Sequence, residues 1–467
     1  MNLLQNIYIL VFNTVFKLTK HINYTIREWI AKLCVFGLSS LFFVLMILTR
    51  QGITDIHVKG CTEGGIFLLI LLCIFSVNKP LKKVKWNKWI TYPYFTAAVY
   101  MTIMSFDQNP GEFYQSYAIM MLLILPALYF IWGNRKDYLT YYDWFAKSLI
   151  ILGLLSAVAT IMFAPFSEKN VGLRYIGLTD NPNILGMISI SVTAASLYMI
   201  FLKRPFYVVY SILTGVYATF IWLTMSRAAI AVLVIQLLAW LIIFVRTYFP
   251  KEKIRSMAFV ALTMVIMIAS AFLTNIVLQK NIVAEAKTEI VMSETYQIAD
   301  SEVDAVKNRF DFSNKSLEEF TSGRTDIWKW YIDKISWRGH DCTNHEVEIA
   351  PGVIYHNAHN TILEISYRFG WPAGAAYAFF MIVMVVALII GGLIRANRKY
   401  TIFIILLTIA YFIEAMFDVM TIPFERGPVL MFYMALIGVF EGDFLAKKDK
   451  NENKENLNQL RGRYEIS

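Results

Sequence analysis

Charge is scarce in this chain: only 16% of its 467 residues are Asp, Glu, Lys or Arg, while 57% are hydrophobic. So few charged groups cannot clothe a soluble globule of this length, and a water-soluble fold is excluded. Cysteine is sparse too. Cys34 and Cys73 lie inside apolar runs, Cys61 at the edge of one and Cys342 alone in a polar stretch, which excludes a disulfide framework. There is no H-E-x-x-H, no C-x-x-C and no repeat of fixed period, so neither the common zinc patterns nor a solenoid applies. Residues 3–16 are apolar but lack a small-residue cleavage site, and Lys17, Lys20 and Arg27 follow them. That pattern argues against a removed signal peptide and for an amphipathic helix at the cytoplasmic surface.

What the chain has instead is length in its apolar runs, with a mean hydropathy of +0.52. Runs of roughly 18 to 23 such residues each suffice to cross about 30 Å of hydrocarbon as a helix. Twelve are expected, near 29–49, 61–77, 89–106, 114–132, 148–166, 183–202, 206–224, 228–245, 257–279, 362–394, 401–420 and 428–445. The expected fold is therefore an all-α polytopic transmembrane bundle with one long extracytoplasmic loop carrying short helices. Its divisions are 1–28 (amphipathic segment), 29–279 (spans one to nine), 280–361 (loop), 362–445 (spans ten to twelve) and 446–467 (a polar, disordered tail). With the N-terminus inside, seventeen lysines and arginines fall in inside loops against six in the short outside loops. Both termini then face the cytoplasm. The overall basicity is cytoplasmic and membrane-facing, and it implies membrane lipids and no nucleic acid as partners.

The loop of roughly 80 residues far exceeds an ordinary connection of about 4 to 6, which marks it as functional. Its first part is acidic, with Glu285, Glu289, Glu294, Asp300, Glu302 and Asp304. Further on, Ile327, Trp328, Tyr331, Ile332 and Ile335 recur at helical spacing after a candidate N-cap, Ser322. Such a helix could lie on the membrane and cover a site.

Three arginines fall on the outward side in tight turns: Arg174 in R-Y-I-G-L-T-D-N-P-N, Arg227 in M-S-R-A-A and Arg324 in S-G-R-T-D. Their planar donor forks suit a phosphate or diphosphate held near lipid. Asn181-Pro182-Asn183 opens a helix whose free N–H groups would add to that anion site. The plainer reading is that each arginine reaches to lipid headgroups. His340, His345, His356 and His359 share the loop with Asp341 and Cys342, but their spacing does not make a zinc site, and no metal and no cofactor are expected. His359, beside Asn360 where the chain re-enters the membrane, is the candidate proton acceptor. Arg368 could instead pair with Glu364 inside the bundle, and Glu414 with Asp418 are the clearest acids within an apolar run.

Together with H-N-A-H-N-T-I-L-E-I-S-Y-R-F-G from His356 to Gly370, these motifs resemble the O-antigen ligase and O-antigen polymerase family of bacterial membrane glycosyltransferases, over roughly residues 150–440. The family signature is His followed by Asn, Ser or Gln, nine residues, Gly, two residues, then Gly, Thr or Tyr. His359, Asn360 and Gly370 meet it, whereas the last position holds Ala373 with Gly374 one place late. The resemblance implies His359 as the base that activates the acceptor, and Arg174 and Arg324 as the clamp on the donor diphosphate. Arg227, Asn181, Asn183, His356 and Asn360 become further substrate contacts. It implies an undecaprenyl-diphosphate-linked glycan donor, a glycan or lipid acceptor, room for a partner that sets chain length, and a product of capsule or O-antigen type. The reaction would be a metal-independent, inverting transfer at the outer face of the bacterial cytoplasmic membrane. The alternatives are a polysaccharide exporter or flippase, which should carry charge deep within its spans, and a peptidoglycan-type membrane polymerase.

Overall fold

The computed structural model describes residues 2–50, 55–135, 137, 139–164, 174–179, 181–289, 324–342, 347–350, 353–355, 357–389, 401–421, 424, 427–436 and 440. Ser322, His345, His356 and the 446–467 tail lie outside them. Among the described residues the chain is a helical bundle, and each expected apolar segment falls on helix. The helices are α1 (Asn2–Thr19), α2 (Tyr24–Arg50), α3 (Asp55–Ser76), α4 (Lys88–Asp107), α5 (Glu112–Gly133), α6 (Leu139–Phe163), α7 (Pro182–Phe201) and α8 (Tyr207–Thr224). After them come α9 (Arg227–Glu289), α10 (Arg324–Lys334), α11 (Thr361–Phe369), α12 (Trp371–Leu388), α13 (Thr401–Phe417) and α14 (Gly427–Ala435). Six described helices are long and apolar enough to cross a membrane: α5, α6, α7, α8, α9 and α12.

The bundle is organised around α7, the most enclosed of these six. Its Gly186, Ser189, Ser191, Thr193, Ala194, Ala195 and Ser196 are small, which lets neighbouring backbones approach closely in the absence of a hydrophobic driving force between helices in lipid. Ser189 and Ser191 return their hydroxyls to Leu185 O (2.6 Å) and Met187 O (2.8 Å), which satisfies these two buried groups. In α5 the turn Met120–Ile124 widens to a π-helix just before Pro126, a residue with no N–H to offer. The carbonyls of Met121 and Leu123 accept instead from Tyr94 Oη (2.9 Å) and Tyr8 Oη (3.1 Å). Unsatisfied carbonyls at this depth would each cost several kcal/mol, of order 2–7. Tyr8 and Gln5 thereby bury one side of α1, and Gln5 also exchanges hydrogen bonds with both backbone groups of Val84.

α9 bends near Pro250, where Glu252 leaves helical geometry (φ −145°, ψ 65°), and its two arms match the expected segments 228–245 and 257–279. Helix then continues ten residues past 279, to Glu289. At the Pro250 end of the bundle Arg135 is buried against Glu28 (2.7 Å) and Asp137 (2.9 Å), and Arg204 pairs with Asp143 (2.5 Å).

At the opposite end one feature adds to the expected fold and one expectation needs correction. The loop carries a two-stranded antiparallel hairpin as well as a helix, β1 (Val347–Ala350) and β2 (Val353–Tyr355), with Val347 opposite Tyr355. The single span expected at 362–394 is two helices, because Gly370 has φ +97° and breaks the chain between α11 and α12. A Cβ on Gly370 would stand 2.2 Å from Trp337 O, and one on Gly339 (φ +82°) would stand 2.2 Å from Arg368 O. The two glycines let the end of the loop lie directly on the α11–α12 junction, where Trp371 N donates to Ser336 O (2.9 Å). Replacing Gly370 with alanine adds left-handed strain and a backbone clash. The expected outcome is a loss of at least about 2 kcal/mol, read as a lower thermal midpoint of the purified protein, with Gly65→Ala, which meets only the Phe424 ring, costing less.

Candidate functional site

Asn360 caps α11: its Oδ1 accepts from Leu363 N (3.0 Å), and its Nδ2 donates to Met416 O at the end of α13 (3.1 Å). Expected as a substrate contact, it is buried, and both ends of its amide serve the fold. His359 precedes it with φ +46°, a conformation uncommon for a side-chain-bearing residue, held by an Asx turn in which His359 N donates to Asn357 Oδ1 (3.0 Å). That geometry leaves the imidazole 31% exposed and sets its Nδ1 3.7 Å from Asp418 Oδ1. Asp418 follows α13, its N–H donating to Glu414 O (2.7 Å) and its carboxylate accepting from Val419 N (2.8 Å).

Arg324, the first residue of α10, faces the same acids. Burial pushes its guanidinium pKa down, and the charges of Asp418 and Glu414 oppose that fall. α10 sits on the site through buried Ile327 and Tyr331, which pack with Tyr367, Ala358 and Cys342, while Trp328 lies 6.5 Å from the Phe417 ring. Ile332, expected on the same apolar face, is 56% exposed, and Ile335 falls beyond the helix.

Behind His359, Glu364 and Arg368 form the anticipated pair, four residues apart on α11 and both buried. Glu364 Oε2 also accepts from Ala358 N (2.8 Å) and its Oε1 from Tyr114 Oη (3.0 Å). Arg368 donates to Pro110 O (2.6 Å) and stacks over the Tyr114 ring (4.0 Å).

A second group of polar residues collects where α7, α8 and α9 meet. Arg174 Nε donates to Thr224 O (2.8 Å) and its Nη2 to Asn183 Oδ1 (2.7 Å). Asn181 caps α7 by accepting from Asn183 N (2.8 Å). Arg227 opens α9 directly after the Thr224–Ser226 turn, in which Met225 has φ +49°. The two groups share one end of the bundle. Gln236 Nε2 on α9 donates to Leu406 O on α13 (2.9 Å), and Ala229, Val232 and Ala410 pack in one cluster. Stepping nine residues from that hydrogen bond toward the helix ends reaches Arg227 on one helix and Ala415 on the other, each about 13 Å away at the α-helical rise. Arg227 is thus level with the Glu414–Asp418 turn.

The sequence drew attention to Glu414 and Asp418 as acids in an apolar run but did not join them to His359. The available signal was chemical: an acid at that depth needs a cationic partner. Among the described residues no group of three or more His, Cys, Asp or Glu is arranged to hold a metal ion.

An apolar helical bundle with an imidazole–carboxylate pair and several arginines gathered at one end defines a polytopic membrane protein with a polar site at its membrane boundary. Residues 209–378 match the family model described as O-antigen ligase, which supports assignment to the O-antigen ligase/polymerase family. The matched interval contains Arg227, Arg324, His359 and Gly370, and it supports an enzyme with an O-antigen ligase/polymerase-like role in polysaccharide biosynthesis. No curated protein matches the chain.

Two measurements test this geometry. Removing one member of a buried ion pair leaves an uncompensated charge, so Glu364→Ala should cost about 3–5 kcal/mol of stability, seen in denaturation of the detergent-solubilised protein. Burial pushes the Cys342 thiol up to about 11, so the native protein should resist iodoacetamide at that residue at pH 7.5, with labelling by intact mass appearing after denaturation.

Proposed function

We propose that this chain is a metal-independent, inverting glycosyltransferase acting on undecaprenyl-diphosphate-linked glycans at the outer face of the bacterial cytoplasmic membrane. The observation that carries the reading is the partly exposed His359 with its Nδ1 3.7 Å from Asp418, at the level of Arg227 in the bundle. An alcohol is almost un-ionised at neutral pH, so its attack on the anomeric carbon needs a base. His359 takes the hydroxyl proton at Nε2 as the new C–O bond forms, and the Asp418 carboxylate, 3.7 Å from Nδ1, stabilises the imidazolium electrostatically. The old C–O bond breaks with its electron pair passing to the lipid diphosphate. Negative charge grows there, where fixed cations matter most.

Arg174 is preorganised for that task because Thr224 O and Asn183 Oδ1 fix two edges of its guanidinium. The N-terminus of α7, which carries Asn183, and Arg227, three residues after Thr224, favour an anion. Asn183 therefore acts through Arg174, and Asn181 through the helix it caps. Arg324, at the start of α10, serves the donor diphosphate from the acceptor side, next to Asp418 and Glu414. The product is a surface polysaccharide of capsule or O-antigen type, with a glycan or a lipid as acceptor.

His359→Ala, made in the source organism, should abolish product while the protein accumulates normally. Single repeats building up on the carrier would mark a polymerase, and long carrier-bound chains a ligase; an unchanged glycan profile sinks the enzymatic reading. Arg174→Lys keeps the charge but loses the fork, and turnover should fall by about 10²-fold or more.

A further inference from the structure

The His359–Asp418 pair is assembled from two distant pieces of chain, and one hydroxyl joins them. Thr361, fully buried at the start of α11, donates its Oγ1 proton to Asp418 O (3.0 Å) and accepts from Met420 N (2.7 Å). It stands two residues after His359 and grips the turn on both sides of Val419. The rest of that turn is tied down elsewhere: Asp418 N to Glu414 O (2.7 Å), Met420 O to Tyr411 Oη (2.7 Å) and Val419 N to the Asp418 carboxylate. These other contacts lie within 411–420 and do not fix the turn relative to α11. Asn360 Nδ2 on Met416 O is a second tie, but it holds the last turn of α13 and not the residues after it.

We infer that Thr361 is a positioning residue for the glycosyl-transfer step: its hydroxyl sets the distance between the His359 imidazole and the Asp418 carboxylate. The inference rests on the reading of His359 as the base. Thr361 touches neither substrate nor the reacting atoms, and it works by keeping two backbone segments in register. Valine has nearly the same shape as threonine and lacks the hydroxyl, so it leaves Asp418 O and Met420 N without that partner and lets the turn drift from the imidazole. Serine keeps the hydroxyl. A displacement of the order of 1 Å at a catalytic pair can cost about 10²-fold in rate.

The test uses the full-length protein in membranes from cells lacking the chromosomal copy, supplied with lipid-linked glycan extracted from the source strain and normalised to enzyme amount. Thr361→Val should lower kcat by about 10- to 100-fold with KM for the lipid-linked glycan changed less than about twofold, while Thr361→Ser stays within about threefold of the parent. A merely structural role would lower the amount of folded protein and leave kcat per folded enzyme unchanged. Should the valine variant fail to accumulate, Thr361→Cys keeps the size with a weaker donor, and its kcat should fall below that of the serine variant. Parent-like kcat in the valine variant, or in the cysteine variant where valine does not fold, overturns the inference if His359→Ala is inactive in the same assay. An active His359→Ala enzyme overturns the proposed function itself.

Discussion

The Glu364–Arg368 ion pair is the constraint on which the geometry of this end of the molecule rests. Two charges buried in a low-dielectric bundle are expensive unless every remaining polar atom around them is satisfied. Here the carboxylate also receives Ala358 N and Tyr114 Oη, and the guanidinium also reaches Pro110 O and the Tyr114 ring. These extra partners come from two other pieces of chain, Pro110–Tyr114 and Ala358. Satisfying one charge pair therefore fixes the α4–α5 loop, the turn before His359 and α11 relative to one another. The end of the long loop is added on top, through Cys342 N on Asn109 O (2.7 Å) and the Arg338–Asp107 pair (2.5 Å). A loop that is long in sequence becomes short in effective freedom near the site.

That scaffold explains why a strained residue can sit where it does. His359 at φ +46° carries a cost of order 1–3 kcal/mol that only its surroundings can hold. Asn357 and Ala358 are pinned on one side of it, Asn360 and Thr361 on the other. Strain of this kind is tolerated when the residue's direction matters more than its comfort.

The signature spacing was legible and has a physical meaning. Nine residues between Asn360 and Gly370 are one capped, buried helix, α11, ended by a glycine that alone accepts φ +97° against Trp337 O. Gly374, one place later than the family pattern, also has a reason, since a Cβ there would fall 1.8 Å from Ser366 Oγ where α12 crosses α11. The apolar segments were legible because a membrane-crossing helix must satisfy its own backbone and needs about twenty apolar residues to do it. The break at Gly370 was hidden, because α11 is itself largely apolar and merges with α12 in a running count of hydrophobic residues. The partnership of His359 with Asp418 was hidden for another reason: it spans 59 positions, and no local pattern encodes which end of α13 meets which end of α11. The widened turn in α5 is likewise set by distant tyrosines, Tyr8 and Tyr94, as much as by Pro126.

The charges at the site end divide into two unequal sets, and the division bears on where an anion would settle. Around His359, the cation Arg324 is faced by Asp418 and Glu414, so positive charge there is already opposed by protein carboxylates. Around Arg174, a backbone carbonyl and an amide oxygen accept hydrogen bonds that fix the guanidinium's orientation. In the proposed reaction, Asp418 and Glu414 beside His359 and Arg174 beside the start of α7 set the base and the leaving-group clamp on different helices at one end of the bundle.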